Sequence, residues 1–157
     1  MATDHREHST GRHPYQHLIV MAALSLVSMY FLMYAMVDRP SNVYGNLNQL
    51  FMAGLMTAPM LLIELVVMRG MYPDRRRNAL ISAISVALGV GMFVLIRQQT
   101  AIADEQFLRS MIPHHSGAIL MCERAKLRDQ ELRELCDAII SSQREEIELM
   151  SAMLDRR

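Results

Sequence analysis

The chain of 157 residues has no tryptophan, only two cysteines and no excess of either charge. Because 16 Lys and Arg residues balance 16 Asp and Glu residues, it lacks the basic surface that binds nucleic acid. Two cysteines without a Cys-x-x-Cys motif are too few for a disulfide scaffold or a zinc module. The histidines have no Ser or Cys nucleophile placed with them, and a phosphate-binding glycine loop is missing. The sequence therefore indicates no enzyme.

Apolar residues and methionine are abundant, at 52% hydrophobic residues and 15 methionines. Three stretches, 18–37, 41–63 and 78–96, contain no charged residue. At 1.5 Å per residue each can cross about 30 Å of hydrocarbon. The sequence predicts an integral membrane protein with three transmembrane helices within 18–97, the second over roughly 50–68 and the third over 79–96.

The arginines predict the orientation of these spans. Arg69 and the run 75–77 follow the second span in a short loop, and such loops stay in the cytoplasm. We therefore expect a multi-pass protein of the bacterial inner membrane with a cytoplasmic N-terminus. Its domain 101–157 would lie in the periplasm or outside the cell. The first apolar stretch is longer than a signal-peptide core and should remain as an anchor.

Residues 1–17 form a polar head with no apolar period. They include four histidines, at 5, 8, 13 and 17. This composition predicts a disordered cytoplasmic segment, in which spaced histidines are weak evidence of metal binding.

Apolar residues in 101–157 recur at helical spacing. They predict amphipathic helices near 104–127 and 130–155, with Asp104 and Asp129 as N-caps. Two helices joined by a tight turn form an αα-hairpin. About 55 residues are too few to enclose a core of their own, so we expect two copies to dimerise into a four-helix bundle. The predicted fold is all-α.

The run from Met111 to His115 brings soft and imidazole side chains together. Met111 and His115 are one helical turn apart, and His114 is about 100° away. Matching the two helices across Asp129 sets His115 level with Gln143 and brings Met150 near Met111. The predicted metal group is Met111, His114, His115 and Met150, with Gln143 and Glu146 holding the imidazole N–H groups from the second helix. Met121 would need a second site or a dimer partner.

Ligand softness predicts the metal. Thioethers suit Cu(I) and imidazole suits copper or zinc, whereas the Glu-x-x-His pair of a di-iron centre is absent. The alternative is that these methionines are adaptable core packing.

Residues 101–157, the tail of the chain, also resemble a known family. The resemblance rests on Asp104-x-x-Phe107-Leu108-x-x-Met111-Ile112-Pro113-His114-His115-x-x-Ala118-Ile119-x-Met121 and on Gln143-x-x-Glu146-Ile147-x-x-Met150. This pattern, over about 50 residues of the C-terminal third, resembles the bacterial domain of unknown function 305 family. Members are ferritin-like helical proteins, some of them periplasmic copper binders of the CopM type. The resemblance implies copper handling and assigns metal positions to Met111, His114, His115, Met121 and Met150. The three spans lie outside it.

Cys122 and Cys136 stand where the family commonly has small residues. They lie at one level of the predicted hairpin. Helix axes pack 8–10 Å apart, whereas a disulfide needs Cα atoms within about 7 Å. Packing, a disulfide and metal ligation all remain open, and the axis distance favours packing.

The second span carries a methionine stripe at Met52, Met56 and Met60. Together with small residues at 85/89 and 87/91 in the third span, it resembles eukaryotic copper permeases. Ordinary helix packing is the commoner origin of such patterns. Glu64, the one ionisable residue inside a span, is expected to snorkel or to pair with Arg69.

These observations predict a membrane-anchored, extracytoplasmic copper-binding protein for copper sequestration, delivery or resistance, with Cu(I) favoured. Its partners would be the lipid bilayer, further copies of the chain and a copper donor or acceptor protein. The alternatives are a copper permease that uses the Met52 stripe and a structural helical oligomerisation module.

Overall fold

The structure, a computed structural model, describes residues 14–157, which are helical throughout with short connections and no strand. The helices are α1 (Pro14–Leu32), α2 (Leu47–Val67), α3 (Arg75–Gln98), α4 (Asp104–Arg124) and α5 (Gln130–Asp155). Two 3₁₀ turns, Met33–Met36 and Pro40–Asn42, lie in the loop between α1 and α2, residues 33–46, here called the first loop. The all-α prediction is confirmed.

Three helices are long and apolar enough to cross a membrane, over Pro14–Met36, Leu47–Val67 and Arg75–Gln98. The first begins earlier than expected, so residues 14–17 are helical and not part of a disordered head; His5, His8 and His13 lie outside the described residues. Contacts of Tyr15 hold this first turn against α3 and the 68–74 connection, since its hydroxyl donates to Asn78 Oδ1 at 3.0 Å and its ring lies 5.4 Å from that of Tyr72.

Side-chain caps set the starts of the other two spans. Asn46 accepts from the amide of Gln49 at 2.9 Å at the start of α2. At the start of α3, Asp74 accepts from the amides of Arg76 and Arg77 at 3.0 and 3.1 Å. These bonds satisfy amides that have no intrahelical partner. The arginines predicted to lie in a loop therefore form the first turn of α3.

Small residues let α2 and α3 pack closely against each other. A Cβ added to Gly89 would lie 3.2 Å from Cβ of Ala58, and Ser85 is buried beside it. A Cβ added to Gly91 would have no atom within 4 Å. Of the two predicted small-residue pairs, 85/89 therefore packs against α2 and 87/91 does not. Met52 and Met56 are 40% and 42% exposed, whereas the neighbouring Ala53, Gly54, Thr57 and Ala58 are buried.

The two ends of the spans differ. The end that holds the first loop and the α3–α4 connection also carries the α4–α5 hairpin, and we call it the hairpin end. The opposite, arginine end holds the 68–74 connection and the arginines at 75–77. There the Tyr72 hydroxyl donates to Glu64 Oε1 at 3.3 Å, so, among the described side chains, Glu64 meets Tyr72 in place of the expected Arg69.

The hairpin forms within the predicted limits. Its buried core consists of Leu108, Ile112, Ile119, Ile147 and Met150. Asp129 caps α5 as predicted, accepting from the amides of Glu131 and Leu132 at 2.8 and 3.2 Å. Asp104 instead occupies the first position of α4, where it makes no cap and pairs with Arg157 at 2.9 Å. Tyr44 of the first loop packs against the hairpin core, so the hairpin rests on the spans.

A disulfide joins Cys122 to Cys136, with Cα atoms 5.2 Å apart. The packing that the sequence favoured is therefore wrong, because the distance between helix axes is larger than the distance between the facing Cα atoms. Each Cα atom lies about 2.3 Å from its own axis. Facing residues on helices 8–10 Å apart therefore have Cα atoms about 3–5 Å apart, and the wider of these spacings reaches the usual disulfide range of roughly 4.4–6.8 Å.

Candidate metal-binding site

One face of α4 carries the soft side chains. Met111, His114 and Met121 line a single cavity of about 490 Å³ at the hairpin end of the spans. Their spacing of three and seven residues sets them within about 80° of one another on the helix. Met121 thus lines the same cavity as Met111. Ten residues set the two about 15 Å apart along the helix axis, so a single ion does not reach both, and a second site or a dimer partner for Met121 stays a prediction.

The opposite wall belongs to the membrane-spanning part of the chain. Met33 and Met36 of the first loop and Met52 of α2 line the same cavity. Sequence analysis missed the first two because residues 18–37 read as one continuous span. Their signal was the Met-x-x-Met spacing at the end of that span.

The remaining lining of the cavity is uncharged. It consists of Val37, Asn46, Asn48, Gln49, Ser110, Pro113, Gly117 and Ala118. Among residues 14–157, no Asp, Glu, Lys or Arg side chain contributes to this wall, and no group of three His, Cys, Asp or Glu residues is placed to hold a metal ion. The cavity therefore presents thioethers and one imidazole beside amide and hydroxyl groups, with no carboxylate in the described wall. Thioethers are typical ligands of soft ions, whereas sites for hard divalent cations usually include carboxylates.

His115 points to the other side of α4, towards α5. Its Nδ1 lies 3.0 Å from Glu146 Oε2, and the ring is 14% exposed. Within the described part of the chain this nitrogen has no hydrogen bond of good geometry, so the carboxylate lies off the direction of the ring N–H. Burial lowers the pKa of His115, and His114 adds to the effect, while Glu146 opposes it. His115 is therefore neutral near pH 7.

Glu146 and Gln143 keep part of their predicted role. Gln143 Nε2 donates to Glu146 Oε2 at 3.4 Å, and Ser142 Oγ donates to Glu146 Oε1 at 3.0 Å. Gln143 therefore orients the carboxylate and not an imidazole. The carboxylate in turn lies 3.0 Å from His115 Nδ1, without the hydrogen bond that the sequence predicted for Glu146.

Met150 is 9% exposed and belongs to the hairpin core. Met111 packs against this core and also reaches the cavity, but neither Met150 nor His115 lines the cavity. The predicted group of Met111, His114, His115 and Met150 is therefore divided between two sides of α4. Met111 packs against the cluster that contains Met150, but helical spacing did not show that Met150 lies outside the cavity.

A buried polar latch fastens α4 to the first loop. The amide of Asp38 donates to Ser116 Oγ at 2.8 Å, and the Ser116 hydroxyl donates to Asp38 Oδ1. Asn42 Nδ2 donates to the same oxygen at 2.7 Å. Burial alone would raise the pKa of Asp38, but the bonds from Ser116 and Asn42 and the charge of Arg39 together lower it. Asp38 is thus a carboxylate that holds the two walls of the cavity together.

Further hydrogen bonds join α4 to the start of α2. The amide of Leu47 donates to Gln106 Oε1 at 3.0 Å. Asn48 Nδ2 donates to Ser110 Oγ at 3.4 Å and exchanges bonds of 3.0 and 3.2 Å with Gln99. None of these polar residues was predicted, since each pairing spans more than 50 residues of sequence.

Comparison with known proteins extends the resemblance found in the tail. The model of the family described as "Domain of unknown function (DUF305)" matches residues 67–154. This match starts at the end of α2 and includes α3, so the resemblance is not confined to the C-terminal third. The chain is also 30% identical over 143 residues to "Uncharacterized protein L153" of Acanthamoeba polyphaga mimivirus, covering 89% of this chain and 92% of that protein. No solved structure matches the chain. The family match spans more than half of the sequence, and the chain belongs to the DUF305 family.

Proposed function

We propose that this protein is a membrane-anchored, extracytoplasmic copper-binding protein that sequesters or delivers Cu(I). The observation that carries the proposal is the face of α4 on which Met111, His114 and Met121 line one cavity. A structural helix has no need of two thioethers and an imidazole facing the same open space, since methionine in its packing role fills gaps between side chains.

The chemistry of the cavity wall supports copper over other metals. Thioethers select Cu(I), whereas zinc sites rely on thiolate, imidazole or carboxylate. The two thiols of the chain are consumed in the disulfide between Cys122 and Cys136. No carboxylate of the described chain lines the cavity, which argues against magnesium, calcium and iron.

The distribution of arginines supports the proposed orientation. Three arginines begin α3 at the arginine end, and the hairpin lies at the other end of the spans. Because short cytoplasmic segments carry the excess of Lys and Arg, the hairpin end faces outward, into the periplasm of a bacterial cell. The disulfide fits an oxidising compartment.

Exposed apolar side chains support dimerisation. On α5, Leu132, Leu135 and Leu149 are 48%, 54% and 56% exposed, and Phe107 of α4 is exposed as well. Pairing two hairpins would cover these residues in a ferritin-like four-helix bundle. A copper donor or acceptor protein would compete for the same surface.

A tethered binder is favoured over a copper permease. Met52 and Met56 face away from α3 and are partly exposed, so a methionine-lined path would have to form between copies of the chain. A purely structural module would leave the donors on α4 without a role.

The test compares thioethers on and off the cavity in the full chain. Met111→Leu combined with Met121→Leu preserves side-chain volume and removes two sulfurs; Met153→Leu on α5 is the matched control. In competition with a chromogenic Cu(I) chelator, we expect the double variant to bind Cu(I) at least about tenfold more weakly, because even changes around metal ligands typically cost 10–100-fold. Equal affinity for the double variant, the control and the parent would refute the proposal.

A further inference from the structure

We propose that the spans complete the Cu(I) site, with Met33, Met36 and Met52 supplying thioethers opposite those of α4. This inference rests on the proposed function and extends it: the metal is held where the hairpin meets the membrane-spanning helices, not within the hairpin. The family pattern in the tail includes none of these three residues.

Local geometry brings the three thioethers to one wall. Met33 and Met36 begin and end a 3₁₀ turn, in which side chains three residues apart lie above one another. Met52 comes from the exposed side of α2, one turn beyond its first residues. All three line the same cavity as Met111, His114 and Met121, so thioethers of the spans lie across the cavity from those of α4.

The two walls are held at a fixed separation. A Cβ added to Gly117 of α4 would lie 3.4 Å from the carbonyl oxygen of Met36, so the helix and the first loop are in close contact beside the ligands. The latch between Asp38 and Ser116 adjoins this contact. A site built from both walls is therefore pre-organised by bonds that the hairpin alone lacks, and pre-organisation reduces the cost of binding.

Charge selects the ion. The cavity lies at the end of apolar spans, and no Asp, Glu, Lys or Arg side chain lines its described wall. When a monovalent cation moves from water into this cavity, no side-chain charge in the described wall balances its single positive charge. A divalent cation brings two such charges and has a larger desolvation penalty. The wall thus favours Cu(I) and its redox-inert analogue Ag(I) over Zn(II) and Cu(II).

The test uses the full chain in detergent. Met33→Leu, Met36→Leu and Met52→Leu are combined, and the matched control combines Met29→Leu, Met56→Leu and Met71→Leu, three methionines outside the cavity. We expect the cavity variant to weaken Cu(I) binding at least about tenfold and to lower the number of sulfur neighbours seen by X-ray absorption at the copper edge. The control variant should match the parent in both measurements.

A second measurement needs no substitution. In the parent chain, bound Ag(I) should protect coordinated methionines from oxidation by peroxide, because the metal occupies the sulfur lone pair that peroxide attacks. Peptide mass spectrometry should show protection at Met33, Met36 and Met52, and none at Met56 or Met71. This result would support the proposal even if the triple variant fails to fold.

The outcomes separate this inference from the proposed function. If the α4 pair weakens Cu(I) binding while the triple variant binds normally and Met33, Met36 and Met52 oxidise freely, the site lies in the hairpin alone and the inference is wrong. If neither variant changes the affinity, both proposals are wrong.

Discussion

Ser116 offers the sharpest test of how the hairpin is fixed to the spans. Its side chain is fully buried, accepts from the amide of Asp38 at 2.8 Å and donates to the Asp38 carboxylate. Ser116→Ala removes both bonds and leaves the amide of Asp38 without a partner. The variant adds no bulk, so any loss of stability comes from the latch.

The expected loss of stability in Ser116→Ala follows from these two hydrogen bonds. A hydrogen bond to a charged group contributes about 1.5–3 kcal/mol, and leaving a buried amide unsatisfied costs about 1–3 kcal/mol. The contributions overlap, and Asn42 continues to bind the carboxylate, so we expect a loss of about 2–5 kcal/mol. At 1.4 kcal/mol per factor of ten, local opening becomes about 30-fold to several thousand-fold more frequent.

Hydrogen–deuterium exchange measures this opening at the residue concerned. The amide of Asp38 should be protected in the parent and should exchange faster in Ser116→Ala by the factor given above. Ser141→Ala, at an exposed serine of α5, is the matched control and should leave the exchange rate unchanged. Equally slow exchange of the Asp38 amide in Ser116→Ala would refute the assignment of the latch.

The same latch predicts a dependence on pH. The folded-state pKa of Asp38 lies below its ordinary value of 3.8, so ionisation of Asp38 stabilises the fold fully above that value. This stabilisation is lost as the pH falls through the folded-state pKa. After correction for intrinsic exchange, the exchange rates of the Asp38 amide in the parent and in Ser116→Ala should therefore become more alike below about pH 3.8.

Three further predictions concern the frame around the site. Replacing Cys122 and Cys136 with Ser should destabilise the hairpin by about 3 kcal/mol, because the bridge closes a loop of about 15 residues; denaturation that is unaffected by reductant would contradict this. Gly89→Leu should destabilise the α2–α3 pair by about 1–3 kcal/mol, whereas Gly91→Leu, with open space around it, should not; equal thermal stabilities in detergent would show that α2 and α3 do not pack as described. After reduction, a membrane-impermeant thiol reagent should label both cysteines in intact cells, and labelling only after lysis would reverse the proposed orientation.

Sequence periodicity was sufficient for the helical framework. Uncharged stretches located the three spans to within a few residues, and the apolar period with Asp129 located the hairpin. These features depend on neighbours a few residues apart, such as a cap and its amides or the successive turns of one helix face. Local rules are therefore enough to predict them.

Local rules failed where the outcome depends on a side chain's exact direction. The motif around Met111 singled out these side chains, but it could not show that His115 turns to Glu146 while His114 faces the cavity. Neighbouring positions on a helix differ by about 100°, and a small rotation of α4 decides which of the two histidines meets α5.

Tertiary structure alone decided the composition of the cavity. Met33 and Met52 are separated from Met121 by 88 and 69 residues of sequence; Met33 reads by itself as an apolar residue of a membrane helix, and Met52 as part of a stripe on the second span. The bond between Asp38 and Ser116, 78 residues apart, joins the first loop to α4, and the bonds of Leu47 and Asn48 join α2 to α4. Contacts at such separations leave no periodic signal in a single sequence, since their positions are set by how whole helices pack against one another.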